Sequence, residues 1–331
     1  MKIKKMIIFL AVVLLTTVLV LPAHASLKKV AQTGLQFLKV DVGARPAGMG
    51  GAFMMVGNDA SAMFYNPAGM ARMESGFDLF AGNVAWIGGI QYYATGLAKA
   101  LGNWGTVGLS AIYCDYGDDI AGTRVSSNDK GYEDTGNIDV GAYAVGLSYA
   151  RSLTNKFMVG GQIKFAQERL GENILVANGA VVKNKVSGVA YDFGTIFYPG
   201  FKSFRIGMSI RNFSNQFKYQ QYAFQLPLTF TLGVAMDVLD FLGEHGNPLL
   251  VAVDAIHPRD YTERINVGAE YEFMKLVAVR AGYRYNYDEE GLCAGIGVKH
   301  SFGGFGVKFD YAYSDFGIFD TVNRFSMGIS F

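Results

Sequence analysis

The feature that most constrains this chain is a strict alternation of apolar with small or polar residues, sustained over segments of about ten to fourteen residues. In the last segment Phe325, Met327, Ile329 and Phe331 alternate with Arg324, Ser326, Gly328 and Ser330. The segment before it sets Phe305, Val307, Phe309, Tyr311 and Tyr313 against Gly306, Lys308, Asp310, Ala312 and Ser314. Further back, Ile265, Val267, Ala269, Tyr271 and Phe273 alternate with Asn266, Gly268, Glu270 and Glu272. Leu228, Phe230, Leu232, Val234, Met236 and Val238 do so with Thr229, Thr231, Gly233, Ala235 and Asp237. Successive strand residues point to opposite faces, so each segment is a strand with one aromatic, apolar face and one small or charged face.

Alternation alone fits a soluble sandwich, apolar side inward, or a membrane barrel, apolar side outward. Three features favour the barrel. The segments are long enough to cross a bilayer at a tilt, whereas sandwich strands usually run about five or six residues. Tyr and Phe recur near segment ends, where aromatic girdles sit. The polar face is rich in Gly, Ala and Ser rather than in the Lys and Glu of a solvated exterior. Composition agrees: 50% hydrophobic, 14% aromatic and only 17% charged, with 42 Gly and 7 Pro. After the N-terminus no apolar run is long enough for a membrane helix. A net charge of +1 offers nothing to a nucleic acid.

The alternating spans are 76–85, 87–99, 103–115, 138–151, 155–169, 183–199, 202–213, 226–239, 247–257, 262–273, 275–286, 290–301, 304–315 and 321–331. The expectation is an all-β chain: a transmembrane antiparallel β-barrel of about fourteen strands, with about twelve as the alternative even count. Closure has a physical cause, since hydrocarbon offers the backbone no partner and only a closed sheet pairs every strand. Connections at 116–137, 170–182 and 214–225 are long and polar, whereas 152–154, 199–201 and 302–304 are tight. Long loops outside and short periplasmic turns are the barrel asymmetry. It is imperfect here, because the connection near 87 is short and 240–246 is longer than a tight turn.

The N-terminus reads as an export signal over residues 1–25. Lys2, Lys4 and Lys5 precede an uncharged apolar run from Met6 to Leu21, then Ala23-His24-Ala25, which places the mature terminus at Ser26. Residues 26–75 form a second unit and 76–331 the barrel. The second unit lacks strand periodicity. Gly48, Gly50 and Gly51 permit tight turns, Asn58-Asp59-Ala60-Ser61 resembles a capped helix start, and Asn66-Pro67 followed by Ala68-Gly69 is a turn signal. A compact small-residue segment ahead of a barrel suits a plug inside the lumen.

Residues Gly34–Phe53, with GLQFLKVDVGARPAGMGGAF, resemble the opening of the PorV/PorQ family of outer-membrane proteins. Asp254-Ala255-Ile256-His257-Pro258, Asp310–Gly317 and Arg324–Phe331 are similar to the same family. Asp59–Met70, with DASAMFYNPAGM, also resembles the FadL-type transporters of hydrophobic compounds. The resemblance covers both ends of the chain and only weakly its middle. It implies a fourteen-stranded, FadL-like barrel with an N-terminal plug in the bacterial outer membrane. It also implies a role in type IX secretion, with exported proteins or secretion components as partners beside the membrane lipid. The terminal Phe331 resembles the signal read by outer-membrane assembly machinery.

Catalysis finds little support. The mature chain has three His: His245 in a Gly-rich turn, His257 before Pro258, and His300 on the apolar face. They are dispersed on the strand map, so no nucleophile–base pair converges and no metal-ligand spacing exists. No cofactor is expected. Cys114 and Cys293 fall in distant strands and read as free, packed thiols. Asp115, Asp118, Asp119, Asp129, Glu133 and Asp134 crowd the first long loop; a solvated loop is favoured over a Ca²⁺ site. Gly48-Met49-Gly50-Gly51 lacks the Lys-Ser/Thr of a phosphate loop.

The inward face carries Arg205, Arg211, Asp254, Glu270, Glu272, Arg280, Arg284, Lys299, Lys308, Asp310 and Arg324. Mixed signs favour a salt-bridge network that stiffens the barrel and holds the plug over an ion-selective pore. Two functions follow. One is a non-enzymatic barrel that docks or shuttles exported proteins, with 116–137 and 170–182 as partner-binding loops. The other is a FadL-like conduit for hydrophobic molecules, which needs an apolar lumen pocket. Phe37, Leu38, Phe53, Met54, Met55, Phe64 and Tyr65 are candidates to line it, with ordinary packing against the wall the favoured alternative.

Overall fold

The computed structural model describes residues 32–117, 120–174, 181–219, 221–242 and 246–331. The expected signal sequence, Asp118, Asp119 and His245 lie outside these residues. In chain order the strands are β1 (Phe77–Ala85), β2 (Gln91–Ala100), β3 (Thr106–Asp115), β4 (Ala121–Val125), β5 (Tyr132–Asn137), β6 (Val140–Ser152), β7 (Phe157–Ile174), β8 (Val181–Phe197) and β9 (Arg205–Phe213). They continue as β10 (Phe217–Lys218), β11 (Ala223–Phe224), β12 (Thr229–Asp237), β13 (Leu249–Pro258), β14 (Arg264–Phe273), β15 (Val277–Tyr285), β16 (Leu292–Phe302), β17 (Phe305–Asp315) and β18 (Thr321–Ser330). Fourteen of them close one antiparallel barrel, in the order β1-β18-β17-β16-β15-β14-β13-β12-β9-β8-β7-β6-β3-β2. This settles the count at fourteen.

The sense of the alternation is that of a membrane barrel. Leu109, Leu147, Ile163, Phe193, Leu232, Phe309 and Phe325 are exposed on the outer wall, while Ser148, Asp254, Glu270 and Arg324 are buried within. A water-soluble sandwich would reverse this. Phe302, Phe305 and Phe331 stand exposed at the short-turn end, and Tyr93, Tyr113 and Tyr283 lie further along the wall. They form an aromatic belt of the kind that marks a membrane interface.

The seam joins the first strand to the last. Asp78 pairs with Ser330 and Ala85 with Asn323, and the Phe77 N–H donates to the Phe331 carbonyl at 2.8 Å. The rings of Phe77 and Phe331 stack at 4.8 Å between centroids.

Several boundaries differ from the periodic spans, each for a local reason. The second span begins at Gln91 rather than 87, because Gly88 and Gly89 take positive φ and turn the chain. The seventh begins at Arg205, behind Lys202 at φ 52°. The stretch 170–182 is mostly not loop: β7 runs on to Ile174 and β8 starts at Val181, so this hairpin stands taller than its neighbours. The 116–137 connection is not irregular either. It folds into the β4–β5 hairpin, where Glu133 accepts from Arg124 at 3.1 Å and from Ser126 at 2.8 Å.

Residues 33–73 run inside the barrel as short helical turns: Gln36–Lys39, Ala44–Gly48, Ala60–Phe64 and Pro67–Arg72. Asp59 caps the third by accepting from the Ser61 N–H at 2.9 Å. Asn66-Pro67 is a helix start rather than a plain turn: Pro67 fits the first helical position and Asn66 Oδ1 accepts from the Ala68 N–H at 3.1 Å.

Candidate functional site

The barrel interior brings the N-terminal segment against the inward faces of nearly every strand, and the two meet differently around the circumference. On β14 to β18 the contact is charged. Arg45 reaches Glu270 at 2.7 Å, and Glu270 in turn takes Arg280 at 2.6 Å. Arg280 also holds Asp310 at 2.8 Å. Lys308 pairs with Asp59 of the segment and lies 3.8 Å from Asp78 on β1. Arg284 is bound between Asp41 and Glu290. Arg324 is fully buried; its Nε donates to the Asp41 carbonyl at 3.0 Å and its Nη1 to Ser314 at 2.9 Å. Buried charges are costly alone and tolerable only when matched, so these pairs fix where the segment can sit. Glu272 and Lys299 pair at 2.8 Å nearer the short-turn end, with Lys299 half exposed, and stand apart from this set.

A glycine seat reinforces the same wall. Gly50 and Gly51 adopt φ of 65° and 80° and turn the chain sharply after Gly48. A Cβ on Gly282 would lie 2.2 Å from the Gly50 nitrogen, and one on Gly295 3.1 Å from the Gly48 Cα. Backbone therefore rests on backbone, which any side chain would prevent.

On β2, β3 and β6 to β9 the contact is steric and apolar. Ala94, Ala98 and Ala150 are buried in one cluster with Phe64, Met63 and Met70, and Ala144 in another with Phe37 and Leu38. A Cβ on Gly160 would lie 2.4 Å from the Ala68 nitrogen. Polar contacts here go mostly to backbone: Asn66 Nδ2 donates to the Thr195 carbonyl at 3.2 Å, and Ser209 Oγ to the Tyr65 carbonyl at 2.9 Å. Arg211 donates to the Phe64 carbonyl at 2.7 Å, and Arg205 donates to that of Met55. On β13, between the two sides, Asp254 accepts from the Met54 N–H at 3.0 Å.

At the long-loop end the segment is tethered by Asp260, in the β13–β14 turn. It accepts from Thr33 Oγ1 at 2.7 Å, Gln36 Nε2 at 3.1 Å and Lys39 Nζ at 3.0 Å. Burial works against charge at both ends of this pair. It pulls the Lys39 ammonium below the usual lysine range; at Asp260 the donors from Thr33 and Lys39 outweigh it and hold the carboxyl below its ordinary value. In the Asp59 carboxyl, too, burial is overcome, by Lys308 and Arg45.

Above the segment lies a cavity of about 370 Å³. Its walls include Lys39, Arg211, Arg264 and Arg284, the carboxylates Asp41, Asp254 and Glu290, and the rings of Tyr65, Trp86, Tyr92, Tyr116 and Tyr287. It is not an apolar pocket. Of the apolar segment residues, Phe37, Met54 and Tyr65 touch it, while Phe53, Met55 and Phe64 pack in the core beneath. Cys114 and Cys293 are free and buried. His257 lies beside Glu263 at 3.2 Å and His300 against the Phe302 ring, far from each other along the chain. Sequence reasoning marked the wall charges but missed their partners Asp41, Arg45 and Asp59, and the tether Asp260. These lie in irregular stretches where no period announces the inward side.

Fold and interior together define an outer-membrane β-barrel with its N-terminal segment folded within. Among solved structures it is similar to the toluene transporter TbuX of Ralstonia pickettii, with TM-score 0.56 and 15% identity over 87% of this chain and 96% of that one. It is also similar to a FadL homologue of Pseudomonas aeruginosa, with TM-score 0.55 and 11% identity over 88% and 98% of the two chains. The toluene transporter TodX of Pseudomonas putida gives 0.55 and 12% over 87% and 96%. At these identities the likeness is one of fold. No curated protein matches the sequence. The profile of the type IX secretion system membrane protein PorP/SprF family matches residues 119–329, and the chain belongs to that family.

Proposed function

We propose that this barrel docks or shuttles exported proteins at the outer membrane in a type IX-like pathway, as a non-enzymatic member of the PorV/PorQ kind. The observation that carries the reading is the family match over residues 119–329, which takes in the exposed β4–β5 hairpin and the tall β7–β8 hairpin. The PorV/PorQ assignment rests on the Gly34–Phe53 motif, whose Gly48 and Gly50 meet the wall backbone. In this proposal residues 1–25 are the cleaved signal, 26–75 the plug and 76–331 the barrel. The wall charges serve to hold the plug, which leaves the outer hairpins and rim as the working surface.

The test is capture of the intact barrel from native outer membrane, with bound proteins and lipids identified by mass spectrometry. Exported proteins or secretion components should be retained, and lost when 121–137 is replaced by a short Gly-Ser link. A bound apolar molecule with no protein partner would instead make the chain a conduit for hydrophobic compounds.

A further inference from the structure

The exposed cations differ between the two ends of the barrel. At the long-loop end Arg124, Arg169 and Lys183 each meet a carboxylate, Glu133, Asp139 and Glu172 respectively. At the short-turn end Lys99, Arg151, Lys156 and Lys202 are exposed, and none has an ion pair among the described residues. Ring order puts these four on one arc. Lys99 stands at the end of β2 and Arg151 at that of β6, Lys156 lies in the β6–β7 turn and Lys202 in the β8–β9 turn. The strands β2, β3, β6, β7, β8 and β9 are successive neighbours in the wall.

Parity sets the direction of the two strand cations. Lys99 shares a face with Tyr93 and Leu97, and Arg151 with Leu147 and Tyr149, so both project sideways from the outer wall. Register sets their depth. Lys99 pairs with Phe77, whose ring stacks on Phe331, so the ammonium stem starts level with the aromatic belt. The same row runs from Lys99 through Val107 on β3 to Tyr149 on β6, two strand spacings or about 10 Å away.

The neighbouring turns complete the patch. The Tyr149 hydroxyl donates to the Trp104 carbonyl at 2.7 Å, and a Cβ on Gly105 would lie 3.2 Å from the Arg151 Cβ. The β2–β3 turn therefore sets Trp104, 77% exposed, beside the Arg151 stem. On the other side Lys156 Nζ would lie 3.2 Å from a Cβ on Gly200, which places it over the turn that carries Lys202.

A cation on a lipid-facing wall that supplies no carboxylate takes its counter-ion from the membrane. Trp and Tyr beside it mark the depth as that of the headgroups, and short turns mark the periplasmic leaflet. We propose that this arc binds anionic phospholipid of that leaflet, with Lys99 and Arg151 on the headgroup phosphate and Trp104 against the lipid at the interface. Lys156 and Lys202 add attraction at the rim. A zwitterionic headgroup brings its own cation beside these four, so the anionic lipid is preferred. The inference goes beyond the docking role and does not rest on it.

The experiment is fluorescence quenching of the intact barrel in phosphatidylcholine vesicles that contain an equal minor fraction of brominated phosphatidylglycerol or brominated phosphatidylcholine. Bromine quenches a tryptophan that it touches. The chain has two: Trp104 on the outside, and Trp86 packed inside against Tyr92 and Phe316. The brominated phosphatidylglycerol should show at least about fivefold higher apparent affinity for the site at Trp104. Lys99→Gln combined with Arg151→Gln should bring that ratio close to one, whereas Lys275→Gln, in the β14–β15 turn across the ring, leaves it unchanged. Trp104→Phe should remove the quenching itself. The two lipids are compared on the unmodified barrel, so a misfolded variant cannot mask the answer. Equal quenching by both lipids would overturn the assignment and leave the arc to an acidic protein. An equal loss from Lys275→Gln would also overturn it, since the preference would then belong to the charge of the whole rim. A preference abolished by inorganic phosphate, but not by chloride at the same ionic strength, would replace the lipid with free phosphate.

Discussion

The two sides of the lumen hold the same N-terminal segment by different means. On β14 to β18 the grip is ionic, through Arg45–Glu270–Arg280–Asp310 and Lys308–Asp59. On β2, β3 and β6 to β9 it is shape, with glycine and alanine against Met63, Met70 and the Ala68 backbone. Charges matched in a poorly solvated interior act as a key: a displaced segment would strand them, so they select one position. Close packing contributes dispersion contacts but tolerates small shifts where the neighbour is a flexible side chain. The comparison teaches that position is encoded on one side and fit on the other.

The harshest way to break it is Glu270→Ala, which leaves Arg45 and Arg280 facing each other without their shared carboxylate. Loss of one partner from a buried set costs about 3–5 kcal/mol. Limited trypsin digestion of the folded barrel should then cleave the segment after Lys39 or Arg72, which the wild type resists. Replacing Arg45, Glu270, Arg280 and Asp310 together by apolar residues of similar volume should restore protection; if it does not, the ionic side does more than match charge.

The steric side is sharpened by a pair of glycines. Gly160→Ala drives a methyl into the Ala68 backbone nitrogen, whereas Gly108→Ala meets the Met63 sulfur at 2.4 Å. The first should destabilise by about 1–3 kcal/mol and the second by under about 1 kcal/mol, because a thioether can swing aside. Denaturant midpoints of the refolded barrel give both numbers. Equal losses would mean the shape side is as rigid as the charged one.

Acid probes the tether at the mouth. A carboxyl held below its ordinary value contributes stability above that ordinary value, and loses it as pH falls through the lowered one. Proteolytic access to residues near Thr33 should therefore stay constant from pH 8 to 5 and rise only below about pH 4. Asp260→Asn should show high access across that whole range. The smallest effect belongs to Arg124→Ala: its exposed pair with Glu133 is screened by water, so the denaturant midpoint of the barrel should stay where it is. A shift would mean the hairpin supports the barrel rather than standing free of it.

Much of this was legible in the sequence, and the reason is periodicity. Each of the fourteen barrel strands coincides with an alternating span, because a residue's parity fixes its face. The misses share a cause in the backbone. Gly88, Gly89 and Lys202 turn the chain inside spans whose alternation runs on unbroken. The β4–β5 hairpin escaped because an exposed polar ribbon has no apolar face to betray it. The interior was half legible: Arg280 and Arg324 followed from parity, but Asp41 and Arg45 sit in turns where parity has no meaning. The cavity required the three-dimensional convergence of the N-terminal segment with β2, β9 and β12 to β15 and left no linear trace.

The seam between β1 and β18 gives the molecule an order of assembly. Its last residue, Phe331, completes the hydrogen bonding of the first strand at Phe77. The wall thus becomes a ring only once β18 is in place against β1, while the segment that fills it precedes every strand in the chain. Enclosure before closure is the natural sequence of events, with the strands wrapping a core already present. Without β18 the N-terminal segment would keep its contacts on the other thirteen strands, yet the ring would stay open.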